Sequence, residues 1–260
     1  AILNLNTADY EAGPGSGKTT LLVAKLAILG KKWQHSSQGI CVLSHTNTAR
    51  KEIKKRLNAS PVVGTLLRYP HFVGTIHSFV NQFLAVPWLR SKGIQPRAID
   101  DSIALEHRKR LLAPRYRIGM ERRRMSAYAL AYDEMDYTGG EKGSLSTSTP
   151  MGSALVKAAR RSSEEGYFCF DEMFVWGREL IETHPSVVDA LRRRFPMVFI
   201  DEAQDNSELQ SSLLHRLFFS GPNPSRRQRF GDSNQAIYSR SAEDSGANGD
   251  RFPNSYKFNI

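Results

Sequence analysis

Ala12-Gly13-Pro14-Gly15-Ser16-Gly17-Lys18-Thr19-Thr20 is a glycine-rich loop that ends in Gly-Lys-Thr and runs straight into Leu21-Leu22-Val23-Ala24-Lys25-Leu26-Ala27. Glycines let successive backbone N–H groups turn inward around an anion. A helix starting near Lys18 points the positive end of its dipole at the same spot. Lys18 can reach the outer phosphates of a nucleotide, and the Thr19 hydroxyl can ligate Mg²⁺. The full pattern is Gly-x4-Gly-Lys-[Ser/Thr], and Ala12 stands at its first position. A loop that merely caps a helix would share the glycines but would not call for the Lys-Thr pair. The residues 12–20 are therefore expected to bind a nucleotide, which leaves open what the nucleotide is used for.

Composition narrows the setting. A chain of 260 residues, 40% hydrophobic, has room for one large α/β domain or one domain with an insertion. Cys41 and Cys169 lie far apart with no metal-ligand spacing, so they read as buried thiols in a reducing compartment. No apolar run approaches the roughly 18 residues of a membrane span, and no signal peptide opens the chain, so a cytoplasmic protein is expected. The net charge of +10, from 36 basic and 26 acidic residues, favours an anionic partner such as nucleic acid, although basic residues also serve simply to solvate a surface.

Working outward from the loop, 18–31 reads as a helix closed by Gly30, and 39–43 as a buried parallel strand. The polar turn Ser44-His45-Thr46-Asn47-Thr48 leads into a basic helix over 49–57. Strand, polar turn and helix is the rhythm of a doubly wound parallel sheet. Phe72 and Val73 suit a strand, Gly74-Thr75 would break it, and Ser78 could cap the helix carrying Val80, Phe83 and Leu84. On its own, His77 reads as a structural histidine. Residues 1–11 are ambiguous: Asp9-Tyr10-Glu11 is polar where a buried strand should precede the loop, so either the strand is very short or residues are missing before Ala12.

Residues 95–165 lose apolar periodicity and gather Arg108, Lys109, Arg110, Arg115, Arg117, Arg122, Arg123 and Arg124. They read as an inserted, mainly helical subdomain whose arginines either follow a phosphate backbone or solvate a helical face. Thr138-Gly139-Gly140 and 143–149 read as loops, and 241–250 as a flexible tail. Phe168, Phe170, Met173, Phe174, Trp176 and Leu180 form a core-facing stripe, and 206–219 reads as a helix. The second strong signal is Met197-Val198-Phe199-Ile200-Asp201-Glu202. An apolar strand ending in two carboxylates places them at the sheet edge where the phosphate loop opens. Asp201 can hold Mg²⁺ through water, and Glu202 can deprotonate a water that attacks the γ-phosphate. Gln235, after another strand end, could touch that phosphate.

The blocks AGPGSGKTT, SHTNTAR, GTIHSF, FIDEAQD and GDSNQAIY, in this order from Ala12 to Tyr238, resemble the UvrD/Rep-like helicases of superfamily 1. The resemblance implies a RecA-like α/β fold, a parallel sheet flanked by helices, with an inserted helical subdomain. It implies ATP hydrolysis with Mg²⁺ and movement along single-stranded or partly duplex DNA, usually 3′ to 5′. By position, Ala12 to Thr20 would cradle ATP, with Lys18 on the phosphates and Thr19 and Asp201 on the metal. Glu202 would be the catalytic base, and Gln235 would couple the γ-phosphate to domain movement. Thr46, Asn47, Thr75, His77, Ser78 and Phe79 fall in blocks that face DNA in the family, and Tyr238 falls where a base-stacking aromatic often sits. The implied organisation is 1–94 and 166–250 as two parts of one motor domain, 95–165 as the insertion, and 251–260 as the start of a second motor domain.

The match has departures. Residues 1–11 contain no glutamine to read adenine, Lys257 stands where an arginine is usual, and the arginine fingers of the family lie beyond Ile260. Weak activity is therefore expected of this chain alone. The wording PHFVGTIHSFVNQFLAVPWLRSKG and QRFGDSNQAIY is similar to compact UvrD-like proteins of bacterial anti-phage systems, Gabija among them. That similarity implies a partner nuclease of the overcoming-lysogenisation-defect type. A nucleotide-sensing subunit that docks on such a partner without unwinding DNA is the alternative to a motor, because both share every ATP-site residue. A P-loop kinase finds no support in an acceptor pocket, and Asp-Glu-Ala-Gln-Asp favours water as nucleophile.

Overall fold

The computed structural model describes residues 2–11, 13, 15–59, 61–137, 147–231 and 255–257. In chain order its elements are β1 (Ala8–Glu11), α1 (Lys18–Lys32), β2 (Ile40–Ser44), α2 (Asn47–Asn58), α3 (Pro61–Gly64), β3 (Phe72–Thr75), α4 (Ile76–Val80), α5 (Val86–Ser91), β4 (Ala98–Ile99), α6 (Asp101–Leu111), α7 (Pro114–Arg122), α8 (Pro150–Glu164), β5 (Tyr167–Phe168), α9 (Glu172–Thr183), α10 (Ser186–Arg194), β6 (Met197–Asp201), α11 (Glu208–Phe218), β7 (Arg226–Gly231) and β8 (Ser255–Lys257). The chain divides into two compact units, Ala1–Phe79 with Pro185–Ile260, and Val80–His184. The second is wider at both ends than the segment 95–165 expected from composition.

The first unit is built on a six-stranded sheet of order β3-β2-β6-β7-β1-β8 in which every pairing is parallel. Strands β2 and β6 are buried along their whole length, as the continuous apolar runs Ile-Cys-Val-Leu and Met-Val-Phe-Ile require of strands covered on both faces. The α/β fold is thus the one expected, and parallel pairing brings every carboxyl strand end to one edge.

The ambiguous start of the chain is a short strand buried by pairing its polar groups. Asp9 lies in register with Arg229 of β7 and accepts from its Nε at 2.8 Å and its Nη2 at 2.6 Å. Tyr10 lies opposite Phe230 and stacks on it with ring centroids 4.9 Å apart. Its hydroxyl accepts from Lys25 Nζ of α1 at 2.8 Å, and the same ammonium donates to Asn4 O at 2.7 Å. A strand can be polar and internal when each buried charge meets a partner.

Several local expectations change. Gly30 lies inside α1 rather than closing it, because a Cβ there would sit 3.3 Å from Leu66 Cδ1: the glycine serves close packing. Gly74 and Thr75 continue β3 rather than breaking it. Thr75, not Ser78, caps the next helix, its Oγ1 accepting from Ser78 N at 3.1 Å.

The second unit is mainly helical, with β4 and β5 forming a two-stranded parallel pair. At its centre Arg108 and Glu172 form a bidentate ion pair, with Nη2 to Oε2 at 2.7 Å and the Nη1–Oε1 contact beside it. Cys169 N and Tyr132 N also donate to Glu172, at 2.8 and 3.2 Å, and Arg108 donates to Leu130 O at 2.9 Å. Arg108 is therefore a core residue and leaves the basic cluster it was grouped with, while Arg110, Arg115, Arg122, Arg123 and Arg124 are exposed. Phe170 points outward, 43% exposed, and drops out of the core stripe. Residues 138–146, part of the expected loops, lie outside the described residues.

Candidate active site

The loop between β1 and α1 opens at the carboxyl edge of the sheet. Gly15 and Gly17 take φ of 73° and 87°, the left-handed region that favours glycine, so these two positions explain the loop's composition. Ser16 N donates to Gly13 O at 3.2 Å and closes the turn. Helix α1 then starts at Lys18 with no side-chain cap and no acidic residue in its first turn. That leaves the positive end of the helix facing the loop. Lys18 is largely buried, and its Nζ lies 3.4 Å from Gly13 O, folded back across the loop.

The register of β2 and β6 sets the other wall. Ser44 pairs with Asp201, so His45 and Glu202 leave neighbouring strand ends. Asp201 is 1% exposed, and its Oδ1 has no hydrogen-bond partner among the described residues. Burial, then the charge of Glu202, pushes its carboxyl up to about 6, against the pull of Lys18. Glu202 takes a left-handed φ of 51°, which swings it off the strand direction, and Gln204 Nε2 donates to its Oε2 at 2.8 Å. Partial burial raises the Asp205 carboxyl, while the charges of His45 and Lys18 oppose the rise.

These features fit a magnesium-bound nucleotide. Asp201 Oδ1 is a buried anionic atom lacking a partner among the described residues, and Ser16 Oγ is a second such polar atom in the loop. A Cβ added at Gly13 or Gly15 would meet no protein atom within 4 Å, so the loop is open on that side. Among the described residues no three His, Cys, Asp or Glu side chains cluster as a metal cage. A cation here would take most of its oxygens from phosphate and water, as Mg²⁺ does.

Of the residues expected to bind nucleotide and metal, Gly13, Gly15, Ser16, Gly17, Lys18, Thr19, Thr20, Asp201 and Glu202 all belong to this edge, while Ala12, Pro14 and Gln235 lie outside the described residues. Of the expected DNA contacts, Thr46 and Asn47 are exposed at the start of α2, where Thr46 Oγ1 accepts from Ala49 N at 3.1 Å. His77 and Ser78 are partly exposed, and Thr75 is mostly buried as the cap of α4. Phe79 is a correction: it is fully buried among Phe72, Phe195 and Phe218, with centroids 5.5, 6.0 and 5.5 Å away, so its ring has no face to offer a base. Tyr238 lies outside the described residues. Gln204, which holds Glu202, has no role in the sequence reading; its place two residues after the carboxylate is the signal that could have found it. The model of the UvrD/REP helicase N-terminal domain matches residues 6–248.

The chain belongs to the UvrD/REP helicase family. Among curated UvrD/REP-type proteins, it is 24% identical over 251 residues to the probable DNA helicase II homolog of Mycoplasma capricolum, covering 92% of this chain and 34% of that one. It is 27% identical over 258 residues to the ATP-dependent DNA helicase srs2 of Schizosaccharomyces pombe, covering 89% and 28%. It is 26% identical over 246 residues to the ATP-dependent DNA helicase UvrD1 of Mycobacterium tuberculosis, covering 87% and 31%. The chain thus spans about a third of the length of these UvrD/REP relatives. No helix among the described residues is long and apolar enough to cross a membrane.

Proposed function

We propose that this chain is the ATP-binding motor domain of a UvrD-type DNA helicase, hydrolysing ATP to drive movement on single-stranded or partly duplex DNA. The observation that carries this is the buried carboxylate oxygen of Asp201 that lacks a partner among the described residues, aligned by strand register at the same sheet edge as the Lys18 loop. The unit Ala1–Phe79 with Pro185–Ile260 supplies this domain and Val80–His184 the insertion, in place of 1–94, 166–250 and 95–165, and β8, within the 251–260 expected to open a second motor domain, pairs with β1 in this sheet.

Bound Mg²⁺-ATP supplies a polarised γ-phosphoryl group and a diphosphate leaving group. The chain's own residues do the rest. Backbone N–H groups of the loop and the N-terminal end of α1 would hold the phosphates, and Lys18, whose Nζ lies 3.4 Å from Gly13 O, would donate to them. Thr19 and Asp201 would hold the cation. Glu202 takes the proton of the attacking water, with Gln204 fixing the orientation of its carboxylate. Preorganised donors aimed at the charge that develops are the main source of acceleration in such transfers. Gln235 would report the state of the γ-phosphate, and Thr46, Asn47, His77 and Ser78 would meet the DNA.

The test is ATP hydrolysis by the full chain with and without oligothymidylate, repeated for Lys18→Ala and Glu202→Gln. DNA-stimulated hydrolysis lost in both variants supports the proposal, and full activity in either overturns the site. Nucleotide binding without DNA stimulation would instead favour a sensing subunit docked on a partner enzyme. The similarity of residues 70–93 and 228–238 to anti-phage UvrD-like proteins supports a defence role beside a nuclease. A plating assay in which Glu202→Gln leaves phage resistance intact would sink that role.

A further inference from the structure

One guanidinium ties the nucleotide loop to the helix that carries the proposed DNA contacts. Arg56, in the last turn of α2, donates from Nη1 to Thr20 Oγ1 at 2.9 Å. Thr20 lies in the first turn of α1, next to Thr19 and two residues from Lys18. Arg56 also donates from Nε to Glu52 Oε1 at 2.7 Å, within its own helix. That bond, with the cation's charge, holds the Glu52 carboxyl below its usual range. The basic face of α2 also carries Lys51, Lys54 and Lys55, and among the hydrogen bonds described only Arg56 reaches across to α1. The fork explains the choice of residue. Arginine presents Nε and Nη1 in one rigid plane, so it can grip its own helix and a neighbour together, whereas lysine is a single point charge on a flexible stem.

The tie is not what holds α2 in place. Ile53 and Leu57 are fully buried and anchor the helix to the core, while Arg56 and Glu52 side chains stay 40% and 45% exposed. Exposed pairs of this kind contribute little to stability. We propose that Arg56 is a positioning residue that couples nucleotide occupancy at the Lys18 loop to the DNA-facing start of α2. One end of α2 touches the first turn of the phosphate-binding helix, and the other presents Thr46 and Asn47. A packed helix moves as a body, so a shift of Thr20 on nucleotide binding reaches Thr46, and DNA binding reaches Thr20 in return. This inference rests on the function proposed above.

The experiment measures affinity of the full chain for a fluorescent non-hydrolysable ATP analogue with Mg²⁺, with and without saturating oligothymidylate. The ratio of the two affinities is the readout. For Arg56→Ala, Arg56→Lys and Thr20→Val we expect the ratio to shrink by roughly threefold, the size of one partly exposed charged hydrogen bond. The double variant Arg56→Ala/Thr20→Val should lose no more than either single. A purely structural role would weaken binding equally in both conditions and leave the ratio unchanged. That result overturns the proposal, as does a lysine variant that keeps the wild-type ratio or a double variant whose losses add. A wild-type chain that binds analogue and DNA with no linkage also overturns it and leaves the ATP site standing. Absent nucleotide binding, or binding indifferent to Lys18→Ala, removes the site itself.

Discussion

Replacing Lys25 by methionine should abolish a pH dependence of stability that the wild-type chain carries between about pH 8 and 10.5. Lys25 is fully buried on α1, donating to Asn4 O at 2.7 Å and Tyr10 Oη at 2.8 Å. Burial lowers its ammonium from 10.5 to about 8. The unfolded chain therefore holds a proton that the folded chain has lost across this window. Folding is penalised in full below pH 8, and the penalty is relieved as pH rises towards 10.5. With about 1.4 kcal/mol per pH unit, the swing reaches about 3 kcal/mol. Methionine keeps the length and the apolar stem and has no charge to desolvate. It leaves Tyr10 Oη and Asn4 O without this donor, but Asn4 O keeps Gln228 Nε2 at 2.8 Å. An unmet acceptor costs about 1–3 kcal/mol, so the two proteins should be close in stability at pH 7. Urea unfolding followed by circular dichroism at several pH values between 7 and 10.5 gives the difference curve. Wild type should gain on the variant by up to about 3 kcal/mol across the window. Parallel curves would show that Lys25 titrates like a solvated lysine and that the network under the phosphate loop is not closed.

Three further outcomes follow from named contacts. Asp9→Asn or Arg229→Met alone should cost about 3–5 kcal/mol in denaturant unfolding, because each removes one half of a buried ion pair, while replacing both by apolar residues should cost far less. Because the Asp201 carboxyl sits at about 6, Mg²⁺-dependent binding of nucleotide should weaken about tenfold per pH unit as pH falls below 6, beyond any change shown by Asp201→Asn in the same titration. Phe79→Ala should lower stability by about 3–5 kcal/mol, as expected for emptying a packed aromatic site, and thermal melting would read this directly; an unchanged melting temperature would return Phe79 to the surface.

Local chemistry made much of this chain legible. The glycines at 15 and 17 need a left-handed backbone, and Lys18 and Thr19 follow them wherever the loop lies. The apolar runs ending in Ser44 and Asp201 announce buried parallel strands, and strands that run parallel must place their carboxyl ends together. The parallel sheet and the placing of Lys18, Asp201 and Glu202 at one sheet edge follow from residue order. Pairing across long separations does not. Asp9 and Tyr10 look like surface residues until Arg229 and Phe230, 220 positions away, arrive in register and turn a polar segment into an internal strand. Arg108 belongs by sequence to a basic run and by packing to Glu172. Phe79 sits in a block that suggests a ligand face, yet the nearby Phe72 and the distant Phe195 and Phe218 enclose it. The sequence by itself determined which groups could bind phosphate and metal, because that chemistry is carried by neighbours along the chain. Only the tertiary structure decided which charges are buried and which aromatics are free, because burial depends on what the rest of the chain brings alongside.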